Sequence, residues 1–156
     1  MMTVRPLQWI VGVIVTALCV ASAAAGTVRL DDSGSYALQP SAQMQWRSAF
    51  AKSGRRTSTE ALVQVHIHID TRAYAGQQGR IYMVLPLDGD TPLTAEWQTQ
   101  GRLLPGRVTS GERALVFTGP LPNSALEDEL VVRLRSDGEW SSNTRRLNFH
   151  FEMDTP

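Results

Sequence analysis

Leu62-Val63-Gln64-Val65-His66-Ile67-His68-Ile69-Asp70 decides how this chain is read. Val63, Val65, Ile67 and Ile69 alternate with Gln64, His66, His68 and Asp70, and successive strand side chains point to opposite faces of a sheet. The segment is therefore a strand with one apolar face to bury and one polar face for water. No helical period fits it.

The same rhythm recurs downstream. Arg80 to Leu87 is apolar on both faces, as a covered strand would be, and Pro86 marks its end because proline cannot donate to a ladder. Asp88-Gly89-Asp90-Thr91-Pro92 is turn chemistry, after which Leu93 to Gln100 is expected to return as a hairpin. Arg102 to Arg107 reads as a turn-bearing connection, and Arg113 to Thr118 as a strand bounded by Gly111 and by Gly119-Pro120. Pro122 to Asp128 suits one helical turn, capped by Asn123 or Ser124, with Glu127 and Asp128 near its positive end. Leu130, Val132 and Leu134 alternate with Val131, Arg133 and Arg135; Ser136 to Glu139 is a turn; Leu147, Phe149 and Phe151 mark a closing strand. Short strands spaced by turns, with no helical period after residue 60, argue an all-β fold. The expected architecture is an antiparallel, Ig-like β-sandwich.

Residues 26–59 belong to the same domain as 60–156, as an N-terminal extension. Val28 and Leu30 open a strand and Asp31 to Ser35 is loop. Over residues 40–53 two periods compete. Ala42, Trp46, Ala49 and Phe50 fit a helix stopped near Gly54; Ala42, Met44 and Trp46 fit a strand turning through residues 52–58 into the 62–70 strand. The β character of the rest of the chain favours the strand.

Residues 1–25 have the layout of a secretory signal. Arg5 lies in a short polar start, Trp9 to Val20 is apolar, and Ala21 to Gly26 is a run of small residues, placing the cut between Ala25 and Gly26 within two residues. The apolar run is shorter than the roughly 20 residues a membrane-spanning helix needs. Cys19 follows the bulky Leu18, which argues against a lipidated cysteine. Cleavage would leave 131 of the 156 residues, without Cys and with Arg5 removed from a chain of zero net charge, hence −1. A thiol-free exported chain suits an oxidising compartment. The basic residues are 14 Arg and one Lys, a bias typical of GC-rich bacterial genomes, so periplasm or cell surface is the expected location. Membrane contact is expected only through the signal before its cleavage.

The charge balance lacks the footprint of a nucleic-acid binder. The absence of a mature Cys and of a Gly-x-Ser-x-Gly elbow leaves no nucleophile motif, so no catalytic residue is expected. Asp88/Asp90 and Glu127/Asp128/Glu129 lie in apparent turns, where acids usually serve local backbone bonds. Metal chemistry has one candidate set: His66 and His68 share a strand face, and His150 lies on the wet face of the last strand. No cofactor is otherwise implied. Recognition has three candidates. Tyr82 lies, with Val84, on the second face of an apolar strand and needs a cover, either residues 40–50 with Trp46 and Phe50 or a partner. Trp97 and Trp140 sit beside turns, where indoles serve as core, interface anchors or sugar platforms. Arg133, Arg135, Arg145 and Arg146 offer a basic stripe, with a solvated face as the alternative.

The stretch from Val63 to Phe151 resembles a module of extracytoplasmic bacterial proteins, including surface and adhesin-related ones. The resemblance rests on Val65/Ile67/Ile69, on Gly76-Gln77-Gln78-Gly79-Arg80-Ile81-Tyr82-Met83-Val84, on Trp97 and on Phe149 to Phe151. It implies a noncatalytic β-sandwich of the cell envelope. The expected mode of action is binding, with another envelope or surface-assembly protein, or a glycan, as partner. A periplasmic metal-binding protein using the histidines is the alternative expectation.

Overall fold

A computed structural model describes residues 26–38, 45–51, 54–87, 92–137 and 148–155, with the side chains of 45–59 outside the description. Its strands are β1 (Thr27–Arg29), β2 (Tyr36–Ala37), β3 (Gln45–Ala51), β4 (Gly54–Ile69), β5 (Gln78–Leu85), β6 (Leu93–Thr99), β7 (Gly106–Thr109), β8 (Glu112–Pro120), β9 (Leu126–Asp137) and β10 (His150–Asp154). They form two antiparallel sheets that pack face to face. One runs β1-β10-β5-β8; the other runs β2-β4-β9-β6-β7, with β3 also paired to β4. The expected all-β sandwich is what the chain forms.

Alternation builds the core as the sequence leads one to expect. Val63, Val65, Ile67 and Ile69 of β4 are buried, and so are Leu130, Val132 and Leu134 of β9 and Phe151 and Met153 of β10. Each such aliphatic or aromatic side chain contributes about 1.5–3 kcal/mol on burial. The 40–53 ambiguity resolves to a strand over Gln45–Ala51, paired with β4 from Gln45↔Glu60 to Ala51↔Gly54. Of that stretch, residues 40–44 and 52–53 lie outside the described residues, as do residues 1–25, 88–91 and 138–147.

Two expectations are corrected. Leu93 to Thr99 is a strand but not a hairpin partner of β5: it pairs with β7 and β9 in the other sheet. Leu93, Ala95 and Trp97 are all buried, so β6 has an apolar face to bury whichever neighbours it takes. The second correction is at Pro122 to Asp128, where no helical turn forms. Leu126 already begins β9, pairing with Ile69, because Leu126, Asp128 and Leu130 continue the inward alternation of that strand.

The chain passes between the sheets at Leu30. Leu30 donates its N–H to the Phe151 carbonyl at 2.9 Å on one side, and Asp70 donates to the Asp31 carbonyl at 2.8 Å on the other. The start of the described chain is also tied to its end. Thr155 donates its N–H to the Gly26 carbonyl at 2.9 Å, and Gly26 N–H donates to Thr155 Oγ1 at 3.3 Å.

β8 carries a bulge opposite Ile81/Tyr82. Ile81 pairs with Phe117 and Tyr82 with Leu115, so Val116 is the extra residue. Val116 and Phe117 are consequently both buried. Without the extra residue, strict alternation would turn Phe117 toward solvent. The bulge thus decides which β8 side chains face outward beside Tyr82.

Candidate functional site

The outer face of the four-stranded sheet is assembled from three strands by register alone. Glu152 pairs with Tyr82 and Tyr82 with Leu115; His150 pairs with Val84 and Val84 with Arg113; Asp154 pairs with Arg80 and Arg80 with Thr118. Arg113 reaches diagonally across this face. Its guanidinium carbon lies 4.2 Å from the Tyr82 ring centroid, a cation–π contact. Its two terminal nitrogens donate to Asp154 Oδ1 at 2.8 Å and Oδ2 at 3.2 Å. A planar fork facing a carboxylate is the strong, oriented form of ion pair. The Arg113 fork holds the Asp154 carboxyl below the usual carboxylate range, and the Thr27 hydroxyl, 3.1 Å away, acts in the same direction.

The cover that Tyr82 requires is therefore Arg113 of the same sheet. Residues 45–51 do not supply it, because β3 belongs to the opposite sheet. Beside the Arg113–Asp154 pair an open cleft of about 620 Å³ runs between Gly26–Thr27, Asp154–Thr155 and strands β5 and β8, lined by Gln78, Arg80 and Thr118 among others.

The other candidates separate. Trp97 is 1% exposed, and its indole N–H donates to the Leu104 carbonyl at 3.0 Å. It is a core residue with its one polar atom satisfied, which removes it from the set of partner-binding aromatics. Trp140 lies outside the described residues. His66 and His68 do share one face of β4, as strand parity requires, but His150 sits on β10 in the opposite sheet. The three-histidine set is thus not brought together. Each ring has its own neighbour instead: His66 packs against Tyr36 with centroids 5.0 Å apart, His68 Nδ1 lies 3.0 Å from Glu127 Oε1, and His150 Nε2 lies 3.0 Å from Glu152 Oε1. Among the described residues no group of three His, Cys, Asp or Glu is placed to hold a metal ion.

The basic stripe is interrupted by acids on neighbouring strands. Arg135 pairs with Glu60, its terminal nitrogen 2.6 Å from Oε1, and Glu96 stands in register between Arg133 and Arg107. This makes the outer face of the larger sheet a mixed-charge surface. Arg145 and Arg146 lie outside the described residues.

Sequence reasoning missed three residues that organise the molecule. Arg113 and Asp154 are 41 positions apart, and only the order β10-β5-β8 joins them. Asp128, expected at a helix start, is buried and accepts the Leu103 N–H at 2.8 Å, pinning the loop before β7. Its tell was present: an acid at an inward position of the Leu126-Asp128-Leu130 alternation needs a buried donor. Set beside protein-family models, curated proteins and solved structures, the chain matches none.

Proposed function

We propose that this chain is an exported, noncatalytic binding or assembly module of the bacterial cell envelope, and that it recognises a protein or glycan partner through the outer face of its four-stranded sheet. One observation carries the reading: Tyr82 stacked beneath Arg113, with Arg113 locked to Asp154, at the rim of an open cleft. Aromatic and arginine side chains concentrate binding energy when their orientation is set in advance, because little freedom is then lost on association. The bidentate bond to Asp154 sets that orientation for Arg113. The leader-like first 25 residues and the resemblance to envelope modules supply the compartment.

Tyr82→Ala and Arg113→Ala, each compared with the parent chain in capture from envelope fractions and on a glycan array, test the reading. Both variants should keep the β-type circular dichroism spectrum and lose the captured partner. A folded pair of variants that captures as the parent does would overturn it.

A further inference from the structure

We infer that the cleft beside Asp154 is a carboxylate-binding subsite for an acidic sugar of the uronic-acid type, with Arg80 as the residue that engages the carboxylate. The inference rests on the proposed binding role and specifies its ligand.

Charge is unequally paired on this face. Asp154 stands opposite Arg80 in the β10–β5 register, which is the position for a cross-strand ion pair. Its carboxylate is taken elsewhere. Arg113 donates to both oxygens, and the Thr27 hydroxyl donates to Oδ1 at 3.1 Å. Arg80 is left exposed, 5.9 Å from the Tyr82 centroid, with no anionic partner among the described residues. Among the residues lining it, the cleft holds two guanidinium groups against one carboxylate, while Glu152 on the same face lies outside that lining and is bonded to His150. The cation without an anionic partner is a flat fork of donors suited to a carboxylate.

The remaining lining selects the rest of the ligand. Gln78 and Thr118 present an amide and a hydroxyl whose side chains make no hydrogen bond within the described residues. Groups of this kind exchange hydrogen bonds with sugar hydroxyls, and a few such groups around a concave surface fix a ligand's orientation. One unpaired cation matches one negative charge, which favours a carboxylate over a doubly charged phosphate. The cleft, at about 620 Å³, lies within the size range of small-molecule sites.

Calorimetry of the purified protein with oligogalacturonate, oligoglucuronate and oligomannuronate, each beside its carboxyl-reduced neutral counterpart, tests this. At least one uronate should bind, and its reduced form should bind about ten- to hundred-fold more weakly, the range for loss of a charge-assisted hydrogen bond. Arg80→Gln should weaken the uronate by a similar factor with an unchanged melting temperature, while Arg80→Lys keeps part of the affinity. Equal binding of acidic and neutral sugars, an Arg80→Gln variant that binds as the parent does, or tighter binding of sulfated or phosphorylated sugars would overturn the inference. So would a failure of every uronate to bind. The broader reading falls separately, on retention of partners by the Tyr82→Ala and Arg113→Ala variants.

Discussion

Trp97 shows at residue scale how a side chain that looks like a recognition anchor becomes a core residue. Its ring is enclosed, its N–H is spent on Leu104, and Gly106 lies so close that a Cβ there would meet Trp97 Cζ2 at 2.8 Å. Trp97→Ala should lower unfolding free energy by about 3–5 kcal/mol, read from denaturant midpoints. Gly106→Ala should also destabilise, since the indole has no room to yield. Asp70 is held down to about 2 by the Arg72 guanidinium, whose side-chain nitrogens lie against both carboxylate oxygens, with the Arg72 N–H adding a further bond. A carboxyl whose folded pKa is depressed stabilises the fold fully above its ordinary value of 3.8, and that contribution vanishes as pH falls through about 2. Asp31 and Asp154 are shifted in the same direction, by the Ser33 backbone and the Arg113 fork respectively. The melting temperature should therefore drop between pH 4 and pH 2, and Asp70→Asn should flatten part of that drop. A drop of the same size in Asp70→Asn would show that the pair contributes nothing.

At the scale of the element, parity is the quantity that alternation encodes most directly. Ile67 and Leu62 lie on the same strand with 0% and 60% exposure. Ile67→Ala should cost about 2–5 kcal/mol, whereas Leu62→Ala should stay within roughly 0.5 kcal/mol of the parent. Urea unfolding of the two variants checks this, and comparable losses would refute the register of β4 against β9. Strand positions could be read from the chain because each follows from neighbours two residues apart. The Val116 bulge could not. It has no local signature in Arg113 to Thr118, and it exists because Val116 and Phe117 both find room in the core. Pro122 to Asp128 failed for the opposite reason. Its capping residues are real local preferences, but pairing of Leu126 with Ile69 extends β9 over them. Ladder bonds and inward apolar contacts outweigh a cap that contributes about 1 kcal/mol.

For the whole molecule, the leader reading and the fold meet at Gly26. If residues 1–25 are a cleaved leader, as proposed, the intact mass of the secreted form should correspond to a start within two residues of Gly26. The hydrogen bonds between Gly26 and Thr155, and the β1–β10 pairing that follows, make a cut beyond Arg29 destructive to the edge of the four-stranded sheet. A mature form beginning after Arg29, still stably folded, would contradict this account. Strand existence, buried sides, the leader pattern and the polar character of the histidine face all follow from short-range order along the chain, because in/out alternation and turn chemistry act over a few residues. Tertiary structure alone assigns β5 and β6 to different sheets, parts His150 from His66 and His68, buries Trp97, and brings Arg113 over Tyr82 onto Asp154. Those outcomes depend on which strands become neighbours, and strands far apart in sequence carry the same apolar rhythm whichever neighbour they take. Only the simultaneous filling of one core distinguishes the pairings.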